Sequence, residues 1–409
     1  MSTSTTSSSP LQELDVENVY IYVADAVRWD HLPDSIESRG TTVKSVSAST
    51  HSPPSFSSLV TGKQPSRHGV GSFDNQLSEI EKPLLDLPDH QTRFLNSIFA
   101  FAERKDDAAV DPIYSVLGTD PPEFNSPFEG LEEPFLLIER GPGGHAPYGE
   151  FDGTATEYFR ENRRESTDKI RRDYAESVSM DADLFTERLD WLEKSDLADQ
   201  TLVIYTSDHG ELLEEGGELG HSSPMRPELV YVPTVFIHPL LPAERVENAV
   251  VQHTDIVATA LDVLDADSEF SAAVDGTSVA ESFNDDPSIS LLNNSLLPDW
   301  IPGISGKLHY EGVWDSGGGY VFVRSPVCER LPVLAGKVAT SSRRYFILKH
   351  LREALRAYAA SGAIEYGSPS FSQSVGEEVL EEANSEATTG KQVSLSAEAE
   401  QQLEDLGYR

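Results

Sequence analysis

The chain has 409 residues, a length typical of one large domain with a smaller one attached, or of two to three ordinary domains. Asp and Glu number 69 against 31 Lys and Arg, which gives a formal net charge of -38 at pH 7. Such a surface repels nucleic acid and anionic membranes, so nucleic acid is excluded as a partner. We interpret the charge as an adaptation to a high-salt, halophilic cytoplasm. Loss of the folded signal at low salt would support this hypothesis, and indifference to salt would contradict it.

Cysteine content and hydropathy limit the cellular context. The lone cysteine, Cys328, excludes an internal disulfide and any cysteine-based metal cluster. The N-terminus, MSTSTTSSSP, lacks the basic start and apolar core of a secretion signal, and no run of residues approaches the length of a membrane-spanning helix. We therefore expect a cytoplasmic protein without a membrane segment, in which residues 1–12 form a disordered tip.

Four apolar segments are predicted to be buried strands, at residues 19–25, 134–140, 201–208 and 232–239. Two stripes of apolar residues at helical spacing predict a helix before the strand at 201 and a helix late in the chain. They are Val178, Ala182, Phe185, Leu189 and Leu192, and Leu348, Leu351, Leu355 and Tyr358. The alternation predicts an α/β fold with a mostly parallel sheet covered by helices on both faces, where ligands bind beyond the carboxyl ends of the strands.

The composition changes after about residue 285. A turn-rich stretch is followed by a predicted hairpin at residues 309–325, and then by an acidic segment near residues 375–395 that we expect to be mobile. We therefore divide the chain into the disordered tip (1–12), a catalytic α/β domain (13–285) and a smaller C-terminal α+β element (286–409).

The stretch THSPPSFSSLVTG, residues 50–62, contains the first candidate for chemistry. Ser is favoured just before a helix and Pro in its first turn, so one interpretation makes Ser52 the cap of a helix that runs from Pro53 toward Thr61. The alternative makes Ser52 a nucleophile at a helix N-terminus, where free N–H groups favour an anionic ester. The stretch by itself favours the cap.

Asp25 closes the first predicted strand, and Asp208 and His209 follow the third. Two carboxylates and an imidazole nitrogen at one edge of a sheet are able to hold a divalent cation together with the oxygen of Ser52. The alternatives are helix caps for the two aspartates and an exposed turn for the histidine.

His253 and Asp255, in QHTDIVATALDVL, are candidates for a second metal site. We interpret them instead as residues at the N-terminus of a helix. We therefore expect one metal ion.

Four blocks of sequence between residues 19 and 283 resemble the sulfatases and sulfatase-like members of the alkaline phosphatase superfamily. In chain order they are VYIYVADAVRWDHL, PPSFSSLVTGKQPSRHGV, TLVIYTSDHGELLEEGG and DGTSVAESF. The resemblance implies an alkaline-phosphatase-like sheet between layers of helices. It also implies an oxygen nucleophile, activated by a metal, that attacks sulfur or phosphorus.

Carried over residue by residue, the resemblance makes Asp25, Ser52, Asp208 and His209 ligands of one divalent cation, with Ca²⁺, Mn²⁺ and Zn²⁺ as candidates. It also makes Ser52 the nucleophile.

The resemblance further makes His145 and His221 catalytic residues that contact the ester group or the leaving oxygen. Arg226 is near enough in sequence to His221 to assist in substrate binding. Asn96 is the nearest polar substitute for a basic block of the family, which gives it a substrate-binding role.

Two departures from the family pattern bear on the reaction. Phe56 stands where sulfatases that convert a serine or cysteine to formylglycine have an arginine, and Ala26 stands where a second aspartate is typical. The sequence therefore predicts a metal-dependent hydrolase of sulfate or phosphate esters, with Ser52 or a formylglycine derived from it as nucleophile. The alternatives are a phosphoglycerol- or phosphoethanolamine-type phosphotransferase and a catalytically silent anion-binding protein. A small-molecule or glycan ester is the expected substrate.

Overall fold

A seven-stranded sheet forms the centre of the protein in the computed structural model, which describes residues 7–77, 82–101, 111–123, 126–266, 273–297 and 305–405. In chain order the strands are Ser7–Ser8 (β1), Asn18–Ala24 (β2), Thr41–Val46 (β3), Asn75–Gln76 (β4), Gln91–Asn96 (β5), Phe135–Gly141 (β6), Thr201–Ser207 (β7), Leu212–Leu213 (β8), Leu219–Gly220 (β9), Tyr231–Ile237 (β10), Glu244–Gln252 (β11), Ser282–Phe283 (β12), Ser288–Ser295 (β13), Lys307–Trp314 (β14), Gly318–Val323 (β15), Gly362–Gly367 (β16) and Lys391–Gln392 (β17).

The α-helices, numbered in the same way, cover both sheets. They are Asp34–Glu37 (α1), Ser52–Thr61 (α2), Pro65–His68 (α3), Pro112–Leu117 (α4), Ala155–Glu161 (α5), Thr167–Lys194 (α6), Pro227–Val230 (α7), His253–Val263 (α8), Val327–Thr340 (α9), Arg344–Lys349 (α10), Leu351–Ala359 (α11), Gln373–Asn384 (α12) and Ala397–Asp405 (α13).

The central sheet has the strand order β11-β3-β10-β7-β2-β6-β5. Strand β10 is antiparallel to both of its neighbours, and the other six strands run in one direction. The predicted α/β class and mostly parallel sheet are therefore confirmed, and so are the four predicted strands. Strands β3, β5 and β11 were not predicted, because TTVKSV, QTRFLN and ERVENAVVQ mix polar and apolar residues and lack the apolar run of a central strand.

The two faces of the sheet carry separate cores. Alternate side chains of β2 point to opposite faces, so Val19, Ile21 and Val23 pack with α2 and α8, whereas Tyr20 and Tyr22 pack with α6. The predicted apolar stripe of α6 is confirmed, because all five of its residues are buried on that second face.

A second, antiparallel sheet with the order β13-β14-β15-β16 follows the first. The predicted hairpin is confirmed, since Tyr310 to Trp314 of β14 pair with Gly319 to Val323 of β15. Helices α9 to α11 pack on one face of this sheet, and Leu380 of α12 packs against Phe322 on the other. This arrangement confirms a smaller element of strands and helices toward the C-terminus.

Two expectations about local order are wrong. Residues 7–12 of the expected disordered tip are ordered, because β1 pairs with β12 and Leu11 is buried in the core; residues 1–6 lie outside the described residues. The acidic segment expected to be mobile contains α12, which the buried side chain of Leu380 anchors. The predicted late helix is present as two consecutive helices, α10 and α11, which meet at His350; most of the apolar stripe is exposed.

The boundary at residue 285 stays a prediction. The second sheet begins at Ser288, but the end of the chain returns to the first part of the protein. Strand β17 pairs with β4, and Leu403 belongs to the same core cluster as Val19. Among the described residues, every helix falls short of the length and apolar character needed to cross a membrane.

Asp181, on α6, is buried beneath the sheet and generates a pH-dependence of stability. Its Oδ1 accepts hydrogen bonds from Tyr22 Oη, at 2.7 Å, and from the Gly143 N–H, at 2.8 Å. Burial, with a smaller contribution from the nearby Glu139 carboxylate, raises the pKa of Asp181 to about 7 from 3.8. Between these two values the native protein keeps a proton that the unfolded chain has released. This carboxyl therefore lowers the free energy of unfolding as the pH rises from about 4 to about 7.

We expect Asp181→Asn to remove this pH-dependent fall in the free energy of unfolding, because the amide oxygen keeps both accepted hydrogen bonds and the side chain carries no charge. The free energy of unfolding of the variant, relative to the unmodified protein, should rise with pH by at most about 1.4 kcal/mol per unit between about pH 4 and about pH 7. Denaturant unfolding at both ends of this range, at constant salt, measures it, with Asp183→Asn on the exposed face of α6 as control. An equal difference between variant and parent at both pH values would contradict the assignment.

Candidate active site

The site is built where strands β2, β6 and β7 end side by side. Ala24 pairs with Gly141 on one side and with Ser207 on the other, so Asp25 and Asp208 emerge at the same edge of the sheet. Ala26 then adopts a left-handed conformation with φ 57°, and its N–H donates to Asp208 Oδ1 at 3.0 Å. This conformation is unusual for a residue with a side chain. The hydrogen bond from Ala26 to Asp208 links the end of β2 to the end of β7.

The loop after β6 closes over Asp25. Gly143 has φ 56°, and a Cβ atom there would lie 2.0 Å from the carbonyl oxygen of Asp25. A side chain is therefore excluded at this position. The close approach places His145, two residues further on, beside the Asp25 carboxylate, and the two groups interact electrostatically.

Ser52 is the first residue of α2, and His51 is the N-cap. The interpretation of Ser52 as a cap is therefore wrong. Its Oγ lies 3.2 Å from His209 Nε2 instead. Pro53 and Pro54 have no N–H, and the N–H of Ser55 donates to the carbonyl of His51. Free N–H groups in this first turn are consequently fewer than the nucleophile hypothesis assumed.

The ligand atoms of Asp25, Asp208 and His209 all lie within 4.8 Å of one another, and all three residues are buried. Asp25 Oδ1 and Asp208 Oδ2 accept no hydrogen bond from any residue that the structure describes. His209 Nδ1 lies 2.9 Å from the Gly210 carbonyl, which only accepts, so this nitrogen carries the proton and Nε2 keeps its lone pair. Two unpaired carboxylate oxygens and an imidazole lone pair fit a divalent cation. Neither aspartate caps a helix, and His209 is not exposed.

Arg140, the penultimate residue of β6, neutralises one of the carboxylates. Its Nε donates to Asp25 Oδ2 at 3.0 Å, and both side chains are fully buried. Burial alone would raise the pKa of Asp25, but the charges of Arg140 and of the neighbouring histidines outweigh it and hold the pKa below its usual value. The Arg140 guanidinium also lies over the ring of Phe56, 5.3 Å from its centroid. The guanidinium of Arg140 therefore supplies a positive charge next to position 56, where Phe56 itself carries none.

Asp208 has the opposite electrostatic environment. Burial and then repulsion by the Asp25 carboxylate raise its pKa. Arg140 donates to Asp25, whereas Asp208 Oδ1 receives only backbone N–H groups, those of Ala26 and His209. A further positive charge near Asp208 Oδ2 would therefore stabilise the ionised pair.

Histidine rings surround these ligand atoms. The centroid of His221 lies 4.4 Å from that of His209 and 5.6 Å from that of His145. Burial lowers the pKa of His145 to about 4 and that of His51 to about 3, and it lowers that of His221 as well. His145 Nδ1 lies 2.7 Å from the Ala146 carbonyl, which fixes the proton on Nδ1 and leaves Nε2 as an acceptor.

The segment that carries His221 is held by the C-terminal helices. Lys337 of α9 binds the Glu218 carboxylate at 3.0 Å, and the Tyr358 hydroxyl of α11 donates to it at 3.1 Å. The guanidinium of Arg343 lies against Gly220, where a Cβ atom would be 3.1 Å from its Cζ. Arg343 also interacts electrostatically with His221. The second sheet and its helices thus position one side of the site.

Arg226 and Asn96, the two other predicted substrate-binding residues, have contacts to neighbouring protein groups. Arg226 precedes α7, donates to Glu228 and lies over the ring of Tyr366, at 5.5 Å from its centroid. Asn96 ends β5 and is buried beside Asp111, whose carboxylate lies 3.5 Å from Arg140 Nη1. Substrate contact by either residue stays a prediction.

The interpretation of His253 and Asp255 as helix N-terminal residues is confirmed. Helix α8 begins at His253, and the Asp255 side chain accepts from the Gln252 N–H at 3.0 Å. His253 Nδ1 accepts from the Ala48 N–H, and its Nε2 lies 2.9 Å from the Ser207 carbonyl. Both ring nitrogens therefore have structural partners.

Sequence reasoning missed Arg140, His51 and Arg343. The signal for Arg140 was present, because a charged pair at the end of the apolar segment PFLLIER has to be compensated once the strand is buried. His51 was next to the candidate serine. Arg343 had no detectable signal, since only the fold brings it to the segment around His221.

Comparison with known proteins identifies the family. A sequence model of the sulfatase family matches residues 126–266. The chain is 30% identical, over 97% of its length and 97% of the relative's, to the low-salt glycan biosynthesis sulfotransferase Agl7 of Haloferax volcanii. The chain belongs to the sulfatase family. The resemblance of the four sequence blocks is thus confirmed.

Solved structures share the fold. A Bacteroides thetaiotaomicron protein described in connection with the metabolism of multiple glycosaminoglycans superposes with a TM-score of 0.55 and 14% identity, over 95% of this chain and 96% of that one. The phosphonate monoester hydrolase of Agrobacterium radiobacter superposes with a TM-score of 0.52 and 13% identity, over 86% of this chain and all of its own. The fold of this sulfatase-family protein therefore extends over nearly its whole length.

We expect a divalent cation to stabilise the metal-stripped protein, by about 2.7 kcal/mol at a concentration of one hundred times the dissociation constant. Asp208→Asn should lose most of this gain. Its amide oxygen keeps the bonds from Ala26 and His209, while an NH₂ group replaces the ligand oxygen Oδ2. Without metal the variant should be at least as stable as its parent, because a buried negative charge has been removed.

Thermal unfolding with and without Ca²⁺, Mn²⁺ or Zn²⁺ measures both effects. Asp183→Asn, an exposed aspartate on α6, is the matched control and should respond to metal as its parent does. A metal-dependent shift of undiminished size in Asp208→Asn would rule out this carboxylate as a ligand.

Proposed function

We propose that this protein cleaves a sulfate or phosphate ester through Ser52 and passes the group to a second hydroxyl. The observation that carries the proposal is the position of Ser52 Oγ, buried and 3.2 Å from His209 Nε2. The hydroxyl thus borders the same space as Asp25 Oδ1 and Asp208 Oδ2. A serine, two carboxylates and a histidine that converge in this way suit nucleophilic attack on an anionic ester better than they suit a structural hydrogen bond.

The proposed metal ligands are Asp25, Asp208, His209 and Ser52. A divalent cation held by them would lower the pKa of the Ser52 hydroxyl and offset the negative charge of the group being transferred. Its identity is left to experiment, because carboxylate, imidazole and hydroxyl ligands suit Ca²⁺, Mn²⁺ and Zn²⁺ in different measure. Arg140 keeps Asp25 ionised, so that its free oxygen is available as a ligand.

Ser52 acts as the nucleophile in the proposed first step. Its oxygen attacks sulfur or phosphorus, the bond to the donor's oxygen breaks, and a covalent serine ester remains. In the second step an acceptor hydroxyl attacks this ester and Ser52 leaves. In the first step the proton of the Ser52 hydroxyl has to reach the leaving oxygen, and in the second step the proton of the acceptor hydroxyl has to return to Ser52 Oγ.

His145 and His221 are the proposed proton carriers. Both rings border the ligand atoms, and burial lowers the pKa of each. A histidine that is neutral at neutral pH is able to accept a proton from the acceptor hydroxyl. The Nε2 lone pair of His145, fixed by the bond of Nδ1 to the Ala146 carbonyl, provides such an acceptor.

The identity of the acceptor separates a hydrolase from a transferase. Water as acceptor gives hydrolysis, whereas a sugar hydroxyl gives transfer. The full-length similarity to a protein named a glycan biosynthesis sulfotransferase favours sulfate as the group and a glycan as the acceptor. An unmodified Ser52 is consistent with Phe56 at the position of the arginine of the formylglycine motif.

We expect metal-dependent cleavage of an aryl sulfate, with slower or no cleavage of a matched phosphate monoester and phosphodiester. Ser52→Ala should lower turnover at least about a thousandfold, because the attacking oxygen is gone. Ser57→Ala, the same substitution in the same helix, is the control and should keep activity. Adding a glycan acceptor should divert product from inorganic sulfate to a sulfated sugar.

Each alternative has its own outcome in this assay. Turnover retained in purified Ser52→Ala would reject the mechanism. Release of inorganic sulfate alone, with any acceptor tried, would favour the hydrolase. Preference for phosphate esters would favour the phosphotransferase, and metal binding without turnover of any ester would favour the silent anion-binding protein.

A further inference from the structure

The outer face of helices α9 to α11 differs in charge from the rest of the protein. Residues 324–356 contain eight of the 31 Lys and Arg of the chain but only two of its 69 Asp and Glu. Four of the eight point away from this face or are paired: Arg330 is buried, Arg324 and Lys337 bind carboxylates, and Arg343 lies against Gly220. On α10 and α11 the exposed charged residues are Lys349, Arg352 and Arg356, with Glu353. This basic stretch belongs to a protein with a net charge of -38. The local excess of positive charge runs against a surface composition that is otherwise strongly acidic.

The same stretch holds most of the exposed apolar side chains. Among the described residues, ten large hydrophobic side chains are exposed, and six of them lie here. They are Val327, Leu331, Tyr345, Leu348, Leu351 and Leu355. Scattered single apolar residues need no explanation, but a cluster on one face indicates an interaction site.

These side chains form one outward-facing layer. Arg330 donates to the carbonyls of Tyr358 and Ala360, which places the start of α9 beside the end of α11. The inner sides of both helices, including Leu334 and Ala354, are buried against the second sheet. The exposed residues therefore lie on the side of the helices away from the sheet. We name this surface the basic face.

Cations on the basic face are available to a partner. Lys349, Arg352 and Arg356 are exposed, and within the described part of the chain none of them forms an ion pair. They alternate along α10 and α11 with Leu348, which is 49% exposed, and Leu355, which is 44% exposed. Apolar side chains beside unpaired cations on short helices are typical of segments that lie in a lipid interface.

We propose that the basic face docks on an anionic lipid surface. Leu348, Leu351 and Leu355 enter the boundary between headgroups and acyl chains, and Lys349, Arg352 and Arg356 bind lipid phosphates. A second copy of this chain fits less well. A two-fold symmetric contact through this face would bring two basic surfaces together, and like charges oppose it.

The position of the basic face gives docking a consequence for the site. The carbonyl of His350, between α10 and α11, lies against Gly217, and Lys337 of α9 binds Glu218. Both contacts hold the segment that leads to His221. A substrate attached to a lipid would therefore arrive next to one wall of the candidate active site. The docking itself does not depend on the reaction proposed above.

Flotation with lipid vesicles tests the proposal on the full chain, at a salt concentration where it is folded. We expect the protein to float with vesicles that contain phosphatidylglycerol and to remain at the bottom with pure phosphatidylcholine. Lys349→Gln, Arg352→Gln and Arg356→Gln should each lower the partition coefficient by up to about fivefold, which corresponds to about 1 kcal/mol per charge. Combining Leu348→Gln, Leu351→Gln and Leu355→Gln should abolish flotation.

Matched substitutions elsewhere are the control. Leu240→Gln, at an exposed leucine, and Arg164→Gln, at an exposed arginine, should float as the parent does. All variants should keep the parent's turnover of a small aryl ester, which separates loss of docking from loss of the site. Absence of flotation of the parent with anionic vesicles would overturn the proposal, and so would equal flotation of the basic-face variants. Dimerisation of the parent in sedimentation velocity, lost in the leucine variant, would assign the face to a second copy and also overturn it.

Discussion

Two carboxylates buried beside each other at adjacent strand ends are the constraint on which the rest of the site depends. Asp25 and Asp208 are both fully buried, and the Asp25 carboxylate raises the cost of ionising Asp208. Burying an unpaired charge costs free energy. The surrounding structure therefore has to supply positive charge, or the carboxylates have to become neutral. Arg140 compensates Asp25. One oxygen of each carboxylate accepts no hydrogen bond from the described residues, and ligand atoms of the two carboxylates and His209 lie within 4.8 Å of one another, where a divalent cation would compensate the remaining charge.

The same constraint explains the departures from the family pattern. Phe56 removes an arginine from α2, but the guanidinium of Arg140 lies over its ring and reaches the site from β6. A buried positive charge is thus present although its position in the sequence differs. Ala26 replaces a second aspartate, and its left-handed backbone contributes an N–H group to Asp208. One carboxylate fewer leaves less negative charge for a cation to balance, which is consistent with one metal ion.

A site residue was predictable from the sequence where its surroundings follow from the local sequence, and not where only the fold creates them. Asp25, Asp208 and His209 were identified because apolar strands that end in polar residues are visible in the sequence, and parallel strands bring such ends together. That Ser52 begins α2 and does not cap it was not predictable, because Ser is a favoured N-cap residue and only the fold places Ser52 Oγ against His209. The stripe from Leu348 to Leu355 has helical spacing whether it faces a core or solvent, so the sequence predicted a helix there but not the exposure of its leucines.

The central claim is that Asp25, Ser52, Asp208 and His209 hold a single divalent cation. Anomalous diffraction from crystals grown with Mn²⁺, recorded at the manganese edge, tests it without reference to any substrate. The account predicts the strongest anomalous peak between the four side chains, about 2.0–2.6 Å from Asp25 Oδ1, Asp208 Oδ2, His209 Nε2 and Ser52 Oγ. A strongest peak elsewhere, or an Asp25 carboxylate bound by Arg140 through both oxygens with no peak beside it, would contradict the account.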